Sequence, residues 1–189
     1  VTSTAFKTTW AQKVKRPFEA AIGALRASGA ELNLKPVLVN HPQYGTNWDD
    51  ADEIYWMYES MGMPLFGRRP PDGWPDVRKE WAGTTGMLFR WKFMWWVVMA
   101  GTAANRTDIR TDFVGPTNAG VPVKTAANVV DFWINRILGR PMADASRQEL
   151  IDFAVGQNIT SFNLNDNGHK EVLALMISLI ISSPEFNWR

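Results

Sequence analysis

The 189-residue sequence contains no cysteine, which excludes a disulfide framework, a thiol nucleophile and a thiolate metal site. It contains only two histidines, His41 and His169. Neither has a second histidine or an acidic residue four positions further on, so a surface or capping role is favoured over metal ligation or general base catalysis. We therefore expect no cofactor, and no metal bound by the side chains of this chain alone.

The sequence also lacks an excess of either charge, because 20 basic and 19 acidic residues leave a net charge of +1. Proteins that bind nucleic acid usually carry a clustered basic excess that neutralises phosphates, so no nucleic-acid partner is expected. No apolar run is long enough to cross a membrane, since Arg90 and Lys92 interrupt the most apolar segment. The sequence also has neither a Gly-x-Ser-x-Gly motif nor a phosphate-binding glycine-rich loop, and these absences leave the reaction class unassigned.

Tryptophan is abundant, with 10 residues, and such side chains usually mark a core or an interface. Apolar residues recur at helical spacing, which predicts an all-α fold, an irregular or orthogonal bundle of about six helices with long Pro/Gly-rich loops. The expected helices run from about 17 to 28, 50 to 61, 84 to 100, 124 to 138, 146 to 154 and 168 to 183. Ser146 and Glu149 are predicted to form a capping box for the fifth helix. The segments 64–76 and 101–123 are predicted to lack regular structure.

The predicted third helix, 84–100, is apolar nearly all the way round, which is typical of a helix at the centre of a core. We expect Trp91 and Trp95 to be buried against the fourth and sixth predicted helices. The inward faces of those helices are expected to carry Trp133, Ile134, Val172 and Leu179.

The loop from Pro70 to Asp76 is the best candidate for a ligand-binding site. Trp74 lies between the carboxylates of Asp72 and Asp76, and a tryptophan face can stack on a sugar ring or a cation. The alternative is a rigid corner in which Trp74 packs into the core and the prolines fix the turn. The two carboxylates are also an acid/base pair if they lie close together, which spacing in sequence does not establish.

Two other segments carry part of a cation-binding pattern. The Asn-rich stretch 163–168 is similar to the first half of a calcium loop, but Ala174 stands where that loop needs a bidentate glutamate. The acidic stretch 49–53 suits a hard cation, but it is explained equally well as a solvated helix N-terminus.

Several segments carry motifs of one known family. These are Lys-Arg-Pro-Phe at 15–18, Gly-Met-Pro-Leu-Phe at 62–66, Pro-Pro-Asp-Gly-Trp-Pro at 70–75, Trp81 with Arg90, Arg-Ile-Leu-Gly-Arg-Pro at 136–141 and Ser-Pro-Glu-Phe at 183–186. Together they resemble the C-terminal half of the bacterial family catalogued as domain of unknown function 1800. The resemblance implies an exported protein, periplasmic or secreted, and implies no reaction.

On this basis we expect residues 1–189 to form a single helical domain, the C-terminal portion of a larger protein. The leading hypothesis is a structural or interaction module of an exported bacterial protein. The alternatives are the C-terminal part of an enzyme acting on an extracellular polymer and a carbohydrate-binding module that uses exposed Trp48, Trp74 or Trp81. The expected partner is the N-terminal part of the same protein or a homodimer partner, meeting an apolar patch around Phe6, Trp10 and Phe18.

Overall fold

The computed structural model describes residues 4, 13–32, 50–64, 66–75, 77–100 and 109–188. These residues form an all-α domain, as predicted, with a single two-stranded sheet. The helices are α1 (Pro17–Ala27), α2 (Asp50–Ser60), α3 (Arg78–Trp81), α4 (Thr84–Ala100), α5 (Val114–Gly120), α6 (Ala126–Leu138), α7 (Asp144–Gly156), α8 (Asn167–Ser182) and α9 (Pro184–Asn187). The strands β1 (Glu31–Leu32) and β2 (Ile109–Arg110) pair antiparallel.

Several helix ends follow directly from local chemistry. Pro17 occupies the first turn of α1, where its missing N–H costs nothing. Gly29 and Gly62 follow α1 and α2 with φ angles of 65° and 90°, a left-handed conformation that favours glycine. The side chain of Asp166 accepts the backbone N–H of His169 at 3.0 Å and so caps α8.

The predicted capping box of Ser146 and Glu149 is wrong, because α7 begins earlier, at Asp144. The backbone N–H of Arg147 already donates to the carbonyl of Ala143 at 2.9 Å, which places Ser146 inside the first turn. The Arg147 guanidinium also binds the Asp131 carboxylate on α6 through both Nε and Nη2, and the distance from Nη2 to the carboxylate is 2.8 Å. This tertiary contact holds the first turn of α7 against α6.

Helix α4 lies at the centre of the packing and contacts α8, α2 and α1. The face of α4 that meets these helices carries Phe93, Met94, Trp96, Val97 and Val98, all of them buried.

The prediction that Trp91 and Trp95 are buried is wrong, since their exposed fractions are 48% and 49%. They share a stripe with Leu88 at i, i+3 and i+7, on the side of α4 opposite Val97. Leu179 on α8, which was also expected to point inward, is exposed as well. The helix is central, as predicted, but only one of its faces is buried.

A second part of the core forms around Trp133 on α6. Its indole N–H donates to the Thr117 hydroxyl at 3.0 Å, and that hydroxyl donates to the carbonyl of Phe113 at 2.5 Å. The Phe113 ring meets the Trp133 ring edge to face, with the centroids 5.6 Å apart. These contacts fix α5 on α6.

The expectation that 101–123 lacks regular structure is therefore wrong for part of that segment. Strand β2 forms by pairing with β1, and α5 forms because Trp133 and Phe113 anchor it. Neither contact leaves a local signal, since α5 contains Gly115, Pro116 and Gly120, all poor helix formers.

Candidate functional site

The predicted site loop folds into a corner held by its own side chains. The Arg68 guanidinium donates to both carboxylate oxygens of Asp72 at 3.2 Å. Trp74 is half-buried, with its ring centroid 5.9 Å from that of Trp81 and the Arg68 guanidinium 6.0 Å from its centre. Trp81 is buried and donates its indole N–H to the carbonyl of Pro75 at 2.8 Å.

The structure thus brings Asp72 and Trp74 into one corner, bridged by Arg68. Asp76 and Trp48 lie outside the described residues, so the ligand-binding site of Asp72, Trp74 and Asp76 stays a prediction. Burial removes Trp81 from the tryptophans proposed to stack on a carbohydrate, because its ring faces are covered.

His169 has a structural position in the Asn-rich turn before α8. Its Nδ1 accepts the backbone N–H of Asn163 at 2.9 Å, and its ring meets Phe162 edge to face. The Asn163 side-chain oxygen accepts the backbone N–H of Asn165 at 3.2 Å, which closes the turn. Within the described part of the chain, no group of three or more metal-binding side chains lies together. His41 lies outside that part, as does the side-chain arrangement of most of the acidic stretch 49–53.

Several exposed aromatic side chains lie on α4 and the neighbouring α2. On α4, Leu88, Trp91 and Trp95 form the stripe described above, and Leu88 has an exposed fraction of 59%. On α2, Tyr55 and Trp56 are also exposed. We call these five side chains the aromatic surface.

Lys92 joins the two helices at this surface. Its ammonium lies 4.8 Å from the centre of the Trp56 ring, a cation–π distance, and Trp56 also meets Phe89 of α4 edge to face at 5.6 Å. On α2, Glu59 accepts the Tyr55 hydroxyl at 3.4 Å. Burial and the nearby Glu59 carboxylate raise the pKa of Tyr55 above its usual value. Lys92 and Glu59 therefore place charges of opposite sign beside the rings.

The patch predicted around Phe6, Trp10 and Phe18 is described only in part. Phe18 is exposed and meets Tyr58 edge to face at 6.4 Å. Phe6 and Trp10 lie outside the described residues, so this patch stays a prediction.

Arg90 is the other charge on α4, and it points the opposite way from Lys92. Its side chain is buried, with an exposed fraction of 1%, and its Nε and Nη1 have no hydrogen-bond partner. Burial lowers the pKa of Arg90 to about 10, while the Glu19 carboxylate on α1 acts in the opposite direction. Arg90 is therefore an internal cation rather than part of an exposed site.

Among the described helices, none combines the length and the apolar character that a membrane crossing requires.

The comparison with known families decides what the motifs mean. A family model described as "Protein of unknown function (DUF1800)" matches residues 1–188. The chain belongs to this family. No curated protein and no solved structure is significantly similar to the chain. Membership of DUF1800 assigns no activity, so a functional proposal depends on the surfaces described above.

Proposed function

We propose that this DUF1800 domain is a protein-interaction module that pairs with a second copy of itself through the aromatic surface. The observation that carries the proposal is the half-exposure of Trp91 and Trp95 on the most centrally packed helix. Aromatic side chains supply much of the binding energy at protein interfaces, and exposed apolar patches of this kind mark interaction sites.

The shape of the surface favours a protein partner over a small ligand. The stripe runs along the outside of a helix, and a convex ridge covers a small molecule on one side only. Ligand and sugar sites are usually concave and carry several polar groups that orient the ligand. A partner protein, in contrast, covers a ridge with a groove or with another ridge.

The size of the surface suits a second copy. At their observed exposures, the five side chains present on the order of 500 Å² per copy. Two copies then bury about 1,000 Å² in total, which reaches the lower limit for a specific interface. The exposed stripe from Leu88 to Trp95 extends about 10 Å along α4 and gives both chains a ridge of matching length.

The charges beside the rings also suit two-fold pairing. In an isologous contact, if residue i of one copy meets residue j of the other, residue j of the first copy also meets residue i of the second. Lys92 and Glu59 have opposite charges and lie on adjacent helices, so a two-fold arrangement that places α4 of one copy against α2 of the other pairs each Lys92 with the Glu59 of the other copy.

Sedimentation equilibrium over about 1–100 μM chain tests the proposal. We expect a monomer–dimer equilibrium for the unaltered chain and a monomer for the double variant Trp91→Gln/Trp95→Gln. The matched control is Val123→Gln/Val155→Gln, which changes two exposed apolar residues away from α4 and should leave the dimer intact. An unaltered chain that remains monomeric at 100 μM contradicts the proposal, and so does a dimer that survives in the tryptophan double variant.

A periplasmic or secreted location is a further proposal, supported by the family resemblance alone. Fractionation of cells that express the full natural protein tests it, and recovery of the protein only from the cytoplasm would refute it.

A further inference from the structure

A cleft of about 550 Å³ opens between the end of α4, the start of α5 and the start of α8. It lies outside the aromatic surface and the corner loop. Its lining includes the apolar side chains of Met99, Phe113 and Leu173 and the polar side chains of Asp112, Asn167, Lys170 and Glu171. We call it the α8 cleft. Its volume falls within the range of small-molecule sites in proteins, about 300–1,000 Å³.

The floor of the α8 cleft is apolar and firmly held. Phe113 and Leu173 line the cleft and are buried within the fold. Phe113 is fixed by its contact with the Trp133 ring and by the Thr117 hydroxyl, which donates to the Phe113 carbonyl. The floor therefore exists before any ligand binds, which reduces the entropic cost of binding.

The rim of the α8 cleft carries charges of both signs that have no ionic partner within the described part of the chain. Glu171 makes no hydrogen bond or ion pair there, and Asp112 accepts only the backbone N–H of Gly115 at 2.8 Å. The Lys170 ammonium donates to the side-chain oxygen of Asn167 at 3.2 Å and meets no carboxylate. That bond turns the amide nitrogen of Asn167 away from Lys170, so its two N–H groups remain free to donate.

We propose that the α8 cleft binds a small zwitterion with apolar side chains, of the size of a dipeptide. The ligand ammonium lies between the carboxylates of Asp112 and Glu171. Its carboxylate accepts hydrogen bonds from the Lys170 ammonium and the Asn167 amide. Its side chains pack on Phe113, Leu173 and Met99. A neutral apolar ligand gains nothing from these charges, and a ligand with one charge engages only one side of the rim.

The experiment is isothermal titration calorimetry at pH 7 with Leu-Leu, N-acetyl-Leu-Leu and Leu-Leu amide. We expect saturable binding of Leu-Leu with a Kd below about 1 mM. N-acetylation removes the ammonium and amidation removes the carboxylate. Each modification should weaken binding at least about tenfold, since hydrogen bonds to charged groups are the stronger ones.

Two variants connect each end of the ligand to its protein group. In Glu171→Gln the loss caused by N-acetylation should shrink, because Asp112 alone then faces the ammonium, while the loss caused by amidation persists. In Lys170→Met the loss caused by amidation should shrink instead, while the loss caused by N-acetylation persists. Glu80→Gln, which changes an exposed acid on α3 outside the cleft, is the matched control and should behave as the unaltered chain. Circular dichroism establishes that each variant is folded before titration.

Three results overturn the proposal. The first is the absence of saturable Leu-Leu binding up to 10 mM, and the second is equal affinity for Leu-Leu and its capped forms. The third is that N-acetylation and amidation of the ligand reduce its affinity as much in Glu171→Gln and Lys170→Met as in the unaltered chain. Repeating the titration on the Trp91→Gln/Trp95→Gln variant separates this proposal from dimerisation, because the cleft does not include the aromatic surface.

Discussion

Replacing Arg90 by methionine should stabilise the domain, although it removes a charged residue that belongs to the family's motif pattern. The guanidinium is buried, and two of its nitrogens, Nε and Nη1, have no hydrogen-bond partner. A buried charge without full compensation disfavours the folded state. Methionine is unbranched and flexible, so it can follow the path of the arginine stem and keep its apolar contacts.

The pKa of Arg90 sets the magnitude. Burial lowers this pKa to about 10 in the folded chain, and each tenfold loss of proton affinity corresponds to about 1.4 kcal/mol, so the charged form is disfavoured by about 3 kcal/mol. Part of this gain is lost because methionine leaves space where the guanidinium was. We therefore expect Arg90→Met to raise the free energy of unfolding by about 1–3 kcal/mol at pH 7.

The pH dependence has a definite sign. Because the pKa is lower in the folded state, the unfolded chain binds the proton more tightly, and stability rises with pH between the two values. The destabilisation by Arg90 is fully present below pH 10 and declines as the pH rises above it. The advantage of Arg90→Met should therefore be constant from pH 7 to about 9 and shrink towards pH 11.

Urea unfolding of the unaltered chain and of Arg90→Met, followed by circular dichroism at pH 7, 9 and 11, measures both quantities. Arg90→Lys is the matched control, because it keeps a buried cation and should show no gain at pH 7. A loss of more than about 1 kcal/mol in Arg90→Met would refute the reasoning, since it would mean that the guanidinium is fully compensated inside the fold.

Three further predictions concern the packing. Trp133→Ala should lower the free energy of unfolding by about 3–5 kcal/mol, because it empties the core beside α5 and leaves the Thr117 hydroxyl without its indole donor. Trp95→Ala should cost less than about 1 kcal/mol in a chain kept monomeric by dilution, because its ring is half exposed; a loss near that of Trp133→Ala would show that it is buried. Gly120→Ala should cost about 1–3 kcal/mol, since a Cβ at this position runs into the Phe132 ring, and the double variant Gly120→Ala/Phe132→Leu should recover part of that loss. Urea unfolding measures all three, and a neutral Gly120→Ala would mean that Phe132 moves aside freely.

The sequence by itself determined those helices whose ends carry local signals. Pro17 and Gly29 bound α1, and Gly62 follows α2, because each residue has a backbone preference that acts without tertiary contacts. The predicted limits of the apolar helix 84–100 agree with those of α4, Thr84–Ala100. The family was also recognisable from the sequence, since its motifs lie in short contiguous segments.

Tertiary structure decided which face of α4 is buried. Periodicity locates a buried face only through contrast between apolar and polar positions, and α4 is apolar nearly all round. The sequence therefore predicts that Trp91 and Trp95 lie in the core, whereas in the structure they form the exposed stripe. Arg90, a charged residue, is buried instead. The positions of α1, α2 and α8 around α4 determine which of its faces is buried.

The same holds for α5 and for the α8 cleft. Helix α5 exists because Trp133, 16 residues away, binds Thr117, and no sequence pattern within α5 predicts that contact. The cleft joins Met99, Asp112 and Glu171 from three separate segments, and no motif connects them in sequence. A site built from distant segments becomes visible only when the helices that carry them are packed together.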